Sequence, residues 1–206
     1  KGDIVLLNAE TGEILVMASH PTYNPNLLDE QGDMLSSDED ALLLNRATQG
    51  RYLPESALEP FSQVLLGKSA PTKNDNHDQL YKTLGFYSEP QLRMQVTAAG
   101  TSPEDLRVSP LQMALGTAAL SNDGIRPAPR IALAADTPQE GWVILPPLSG
   151  SVETLPKSNV HEIAQTLAQN EHNWSPRALA LVGLSQRLDG EQREKALQDA
   201  FEALNK

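Results

Sequence analysis

"GDIVLLNAETGEILVMASHPTYNPN", residues 2–26, holds two short apolar runs, 4–7 and 14–18, on either side of a polar turn that contains Gly12. Apolar runs of this length joined by a glycine-bearing connection predict a β-hairpin. Pro21 and Pro25 end it, because a proline ring gives no N–H to a ladder.

Downstream, "LLDEQGDMLSSDEDA" at 27–41 is acidic and has neither helical nor strand period, which predicts a solvated loop. Asp38, Glu39 and Asp40 are carboxylates of the type a cation takes, but the glycine and the ligand spacing of a calcium loop are missing around them. A helix is predicted over 56–66: Pro54 stops what precedes it, Ser56 caps it, Leu58, Phe61 and Leu65 make one stripe, and Gly67 ends it. "KSAPTKNDNHD" at 68–78 then reads as a polar connection with no core of its own.

The clearest helix is "VSPLQMALGTAALSNDG" at 108–124, with Ser109 as N-cap, Pro110 at the first helical position and Gly124 at the stop. "IRPAPRIAL" leaves it as an extended segment. Val160, Ile163, Ala164 and Leu167 form a further helical stripe, "ALALVGL" at 178–184 reads as a short buried strand, and 191–204 as a closing amphipathic helix. This order predicts a single α+β domain over 1–206, with helices packed against an antiparallel sheet.

Composition narrows the function. A net charge of −11 argues against a nucleic-acid partner, because neutralising phosphates needs a basic face. The chain has no cysteine, which excludes thiol catalysis, disulfides and cysteine-based zinc sites. No stretch approaches the roughly 18 apolar residues of a membrane span, and the start at Lys1 leaves room for an anchor or leader ahead of it. His20, His77, His161 and His172 lack metal-ligand spacing, and no motif calls for a cofactor. Asn45 and Arg46 are expected to tie their loop to the helix at Ser56, and Ser109 and Gln112 to cap and pack. Trp142 and Trp174 are either core fillers or exposed anchors for a partner.

Three blocks carry a family resemblance. Residues 2–26, "LLNRATQGRYLPESALEPF" at 43–61 and "VSPLQMALGTAALSNDGIRPAPRI" at 108–131 resemble, in order and internal spacing, the transpeptidase domain of penicillin-binding proteins. That family has a hairpin with a TGEI turn and a P-x-Y-x-P-N exit, an NRA-x-x-G-x-Y-x-P-G-S approach to a catalytic serine, and a TPLQ-A helix. "SPRALALVGL" and "EKALQDAFEALNK" are similar to its last strand and closing helix.

The resemblance implies a serine chemistry built on S-x-x-K, S-x-N and K-T/S-G, in which the serine attacks a D-Ala-D-Ala peptide or a β-lactam and the lysine takes its proton. Carried over, Ser56 stands at the nucleophile position and Glu59 at the lysine position. None of the three motifs occurs in the 206 residues, and "GKSA" at 67–70 approaches K-T/S-G only without its glycine. Compared with the family, the S-x-N helical region is expected to be reduced to a polar connection, and the K-T/S-G strand to be lost before 178.

Glu59 can reach the Ser56 hydroxyl from three residues away on a helix, but the acyl donor is itself an anion. Exchanging a cation for an anion at about 4 Å changes the interaction by roughly 8 kcal/mol, taking about 4 per pair at an effective dielectric of 20. The resemblance therefore implies a catalytically inactive transpeptidase-like domain with Ser56 kept as a cap. Its expected role is structural or protein-contacting, with another cell-envelope protein or a neighbouring domain as partner. Its expected place is outside the cytoplasmic membrane, anchored there in the full-length protein. Two alternatives stay open: a reduced serine acyltransferase acting through Ser56, and a module that binds peptidoglycan stem peptides without turnover.

Overall fold

The computed structural model describes residues 1–58, 61–62, 74–97, 100–158, 160 and 195. Strands β1 (Gly2–Leu7) and β2 (Ile14–His20) form the expected hairpin, registered from Gly2 opposite His20 to Leu7 opposite Ile14, with an irregularity between Leu6 and Leu7. The Asn8 side chain shapes the turn by accepting from the Glu10 and Thr11 amides at 2.9 and 3.1 Å. Gly12 follows at φ +74°, and a Cβ there would lie 1.9 Å from the Ala128 carbonyl oxygen. Only glycine fits such an approach, and it lets the tip dock: the Arg130 amide donates to Gly12 and the Ile14 amide to Arg130.

The acidic stretch is not a loop throughout. A 3-10 turn, Pro25–Leu27, runs into helix α1, Leu28–Ser36. Asp29 and Glu30 sit in its first turn, where the helix dipole favours anions, and the Ser36 and Ser37 hydroxyls donate to the Asp33 carbonyl at its end. Local electrostatics and capping thus supply what a missing apolar stripe cannot, since Leu35 is its single buried residue.

Helix α2, Arg46–Gln49, and a 3-10 turn, Glu55–Leu58, follow. The polar connection expected at 68–78, of which 68–73 lie outside the described residues, is corrected from residue 74 on: Asn74–Thr83 is helix α3. Its polar first half hid it, while its second half buries Leu80 and Tyr81, and Asp78 and Lys82 pair one turn apart at 2.5 Å.

Helix α4, Pro110–Ser121, matches its prediction and has both halves of a capping box between Ser109 and Gln112. Strand β3 (Ile125–Arg126) pairs antiparallel with β6 (Val152–Glu153), and β4 (Ala134–Thr137) with β5 (Gly141–Ile144). The antiparallel strands and flanking helices of an α+β fold are thus present, and among the described residues the strands form three two-stranded pairs.

The main core joins Phe61, Leu84, Phe86, Leu106, Leu155 and Val160 with α3 and α4. Each such side chain contributes about 1.5–3 kcal/mol through the area it removes from water. A second cluster sets Leu111 and Leu115 of α4 against Val5, Leu7 and Ile14 of the hairpin. The helix expected near 160–167, the strand at 178–184 and the closing helix lie outside the described residues, apart from Val160 and Lys195.

Candidate functional site

The approach to the serine is held by α2. Asn45 caps it, accepting from the Ala47 amide at 3.1 Å, and the Gln49 side chain accepts from the Asn45 amide. Arg46 is only 5% exposed, and its guanidinium donates to the carbonyls of Asp40 and Ala41. The Ser19 hydroxyl accepts from the Arg46 amide at 3.0 Å and donates to the Leu44 carbonyl. Among the described residues these bonds join Arg46 to β2 and to the acidic stretch and Asn45 to α2 itself, and not to the turn that carries Ser56.

Beyond α2 the chain makes an isolated antiparallel bridge, with backbone bonds of 3.0 and 2.9 Å between Tyr52 and Val108. The turn at Ser56 begins one residue earlier than expected, because the Ala57 amide donates to the Pro54 carbonyl and Glu55 opens the 3-10 turn. Ser56 is thus the second residue of that turn, not the residue before a helix. Glu59 and the segment 67–70 lie outside the described residues.

Next to this turn, Asp3 of β1 and Tyr52 share a hydrogen bond, with the Tyr52 hydroxyl donating. Burial pushes the Asp3 carboxyl up from its ordinary value, opposed by that bond and by the Arg46 charge. Burial, with the Asp3 charge behind it, also raises the Tyr52 phenol. The pair stands at the edge of an open groove of about 460 Å³ whose lining includes Val5, Pro54, Ala57, Val108 and one face of α4. Sequence reasoning missed Asp3 and Tyr52, although Asp3 sits two residues before Val5 and so on the same strand face.

The remaining candidates do not converge. Asp40 pairs with Lys1 at 2.7 Å, and that ammonium holds its carboxyl below the usual range. Asp38 accepts from the Asp40 amide. Among the described residues no three acidic, histidine or cysteine side chains are grouped to hold a metal. His20 is exposed at the end of β2 and His77 belongs to α3, while His161, His172 and Trp174 lie outside the described residues. Trp142 is 76% exposed and fills no core.

Ser109 and Gln112 cap and pack as expected: their mutual bonds are 3.2 and 3.0 Å, and the Gln112 amide also donates to Phe86 and Ser88. Among the described residues no helix is long and apolar enough to cross a membrane.

Comparison with known proteins follows the same frame. Residues 2–85 match the family model for the penicillin binding protein transpeptidase domain. The peptidoglycan D,D-transpeptidase MrdA of Acinetobacter baumannii is 40% identical over 69 residues, 31% of this chain and 10% of that protein. A probable peptidoglycan D,D-transpeptidase of Pseudomonas aeruginosa, PbpC, is 33% identical over 85 residues, covering 41% of this chain and 14% of the relative. The matches thus span only a small part of the length of these curated relatives.

In three dimensions the chain is similar to the D,D-transpeptidase domain of a peptidoglycan glycosyltransferase from Eggerthella lenta. The TM-score is 0.67 at 17% identity, over 86% of this chain and 63% of that one. It is also similar to penicillin-binding protein A from M. tuberculosis, solved as an imipenem acyl-enzyme complex, with TM-score 0.64 at 17% identity over 92% and 58% of the two chains. Likeness at this identity establishes the fold.

Proposed function

From a chain whose residues 2–85 match the family model for the penicillin binding protein transpeptidase domain and whose fold is similar to solved domains of that kind, we infer a transpeptidase-like domain of peptidoglycan synthesis that has lost acyl transfer. It acts as a structural or protein-contacting unit. The observation that carries this reading is a contrast. The frame around the serine keeps its bonds, in the Asn45 cap, the buried Arg46 and the Ser109–Gln112 box. The 206 residues, however, contain no S-x-x-K, S-x-N or K-T/S-G.

A serine hydroxyl with an ordinary pKa is a weak nucleophile without a base, and loss of even one oxyanion donor costs about 100- to 1000-fold in rate. A glutamate at the base position adds repulsion for an anionic acyl donor. The frame is then what selection retains. In this reading 1–206 is a single domain outside the cytoplasmic membrane, in a full-length protein anchored to it. Its partner is another envelope protein or a neighbouring domain.

Incubation with a fluorescent penicillin, followed by a denaturing gel and intact mass, tests the loss of acylation. The expected result is no adduct, for the chain itself and equally for Glu59→Lys. An adduct that disappears in Ser56→Ala would overturn the reading and make the domain a reduced acyltransferase.

A further inference from the structure

Helix α4 is apolar on nearly every side, and such a helix is expected to be covered all round. From Pro110 to Leu120 every residue is buried except Pro110, Met113, Ala114 and Thr117. Their spacing of three, one and three places them on a single face. That face forms one wall of the groove beside the Ser56 turn, Asp3 and Val5 of β1 form another, and the Tyr52–Val108 bridge lies between them. The volume of about 460 Å³ falls among those of small-molecule sites, roughly 300–1,000 Å³.

Among the described residues the lining is apolar apart from three side chains: the Asp3 carboxylate, the Tyr52 hydroxyl and the Thr117 hydroxyl. Asp3 is the one member of the lining, among the described residues, that carries a formal charge at neutral pH. Its partner Tyr52 occupies one position on a group that accepts about four hydrogen bonds, and the nearby Arg46 turns its guanidinium to the carbonyls of Asp40 and Ala41. A fixed anion at the edge of an apolar trough selects a ligand with a cation on a hydrocarbon chain.

We propose that this groove binds a small aliphatic ammonium, with its chain along Met113, Ala114 and Val5 and its charged end on Asp3. Ammonium donors make charge-assisted bonds to a carboxylate and leave the Tyr52 bond in place, whereas an alcohol forgoes the charge and a carboxylate is repelled. The site does not depend on the reactivity of Ser56, so penicillin labelling and the test below fail independently.

Hexylammonium, 1-hexanol and hexanoate are titrated into the chain while methyl resonances of labelled Met and Ala are followed by NMR. Hexylammonium is expected to shift the Met113 and Ala114 methyls saturably, hexanol to bind at least about tenfold more weakly and hexanoate to leave them in place. Asp3→Asn brings hexylammonium down to the level of hexanol. Ala114→Leu, which fills the groove and keeps the carboxylate, abolishes binding. Equal affinity for the three probes, undiminished binding in either variant, or no saturable shift at Met113 overturns the site.

Discussion

Helix α4 and the β4–β5 hairpin are both rich in apolar residues, and they meet opposite fates. The helix buries Leu111, Leu115, Ala119 and Leu120, with the Phe86 ring 3.5 Å from the position of a Cβ on Gly116. The hairpin alternates, and turns Trp142 and Ile144 outward at 76% and 80% exposure. Their cross-strand neighbours on that face are Asp136 and Ala134, too polar and too small to cover them.

The difference lies in what each element meets, since hydrophobicity alone would hide both. Side chains of Phe61, Leu84, Phe86 and the first hairpin converge on α4, while among the described residues β4 and β5 have chiefly each other. A lone two-stranded ladder is marginal in water. The region of this one is fastened through its backbone, by the Leu145 amide on Leu133 and by Arg130 and Arg93 on the carbonyls of Leu145 and Pro146.

Truncating the α4 side of this contrast is expected to have the largest effect. Phe86→Ala leaves a cavity against Gly116 and lowers the unfolding free energy by about 3–5 kcal/mol in urea titration. Gln112→Ala strands the carbonyls of Phe86 and Ser88 and breaks the capping box, for about 2–3 kcal/mol by the same measurement. Asn45→Ala, a single cap in the α2 loop, costs about 1 kcal/mol.

Asp3 gives a smaller, pH-dependent effect. Burial raises its folded-state carboxyl value, so the folded chain holds the proton more tightly than the unfolded chain. That contribution is present below the unfolded carboxyl value and is lost as pH rises through the folded one. The melting temperature of the parent chain minus that of Asp3→Asn should therefore grow as pH falls from neutral to acid. Smallest of all, Trp142→Ala should stay within about 0.5 kcal/mol. A loss there as large as that of Phe86→Ala would break the contrast between the two regions.

Much of this architecture was legible because its signals are local. The β1–β2 hairpin shows in its apolar runs and Gly12, and α4 in Ser109, Pro110 and Gly124. Helices α1 and α3 were missed because their described side chains bury so little: Leu35 in one, and Leu80 and Tyr81 at the far end of the other. Yet the Asp78–Lys82 pair was a helical signal in plain view. The β4–β5 hairpin could have been found from Gly141 and the alternation in "GWVI".

At the site, the sequence pointed to Ser56 and Glu59 through their motif positions. The meeting of Asp3 with Tyr52 was illegible, because those residues come together only when β1 crosses the segment after α2. Asn45 and Arg46 were read as structural, and Asn45 caps α2 locally, but the bond of Arg46 to Ser19, 27 residues away, is tertiary.

The bridge between Tyr52 and Val108 has a bearing on how such a chain can shorten over evolutionary time. Two backbone bonds clasp the two ends of residues 53–107, so that stretch leaves the frame and returns to it at one place. Closure entropy varies only as the logarithm of loop length, and a twofold change alters it by about 0.6 kcal/mol. Material can therefore leave the excursion between its core-touching side chains, such as Phe61, Leu80 and Phe86, while the clasp remains shut. A deletion within such an excursion need not unpick the fold around it.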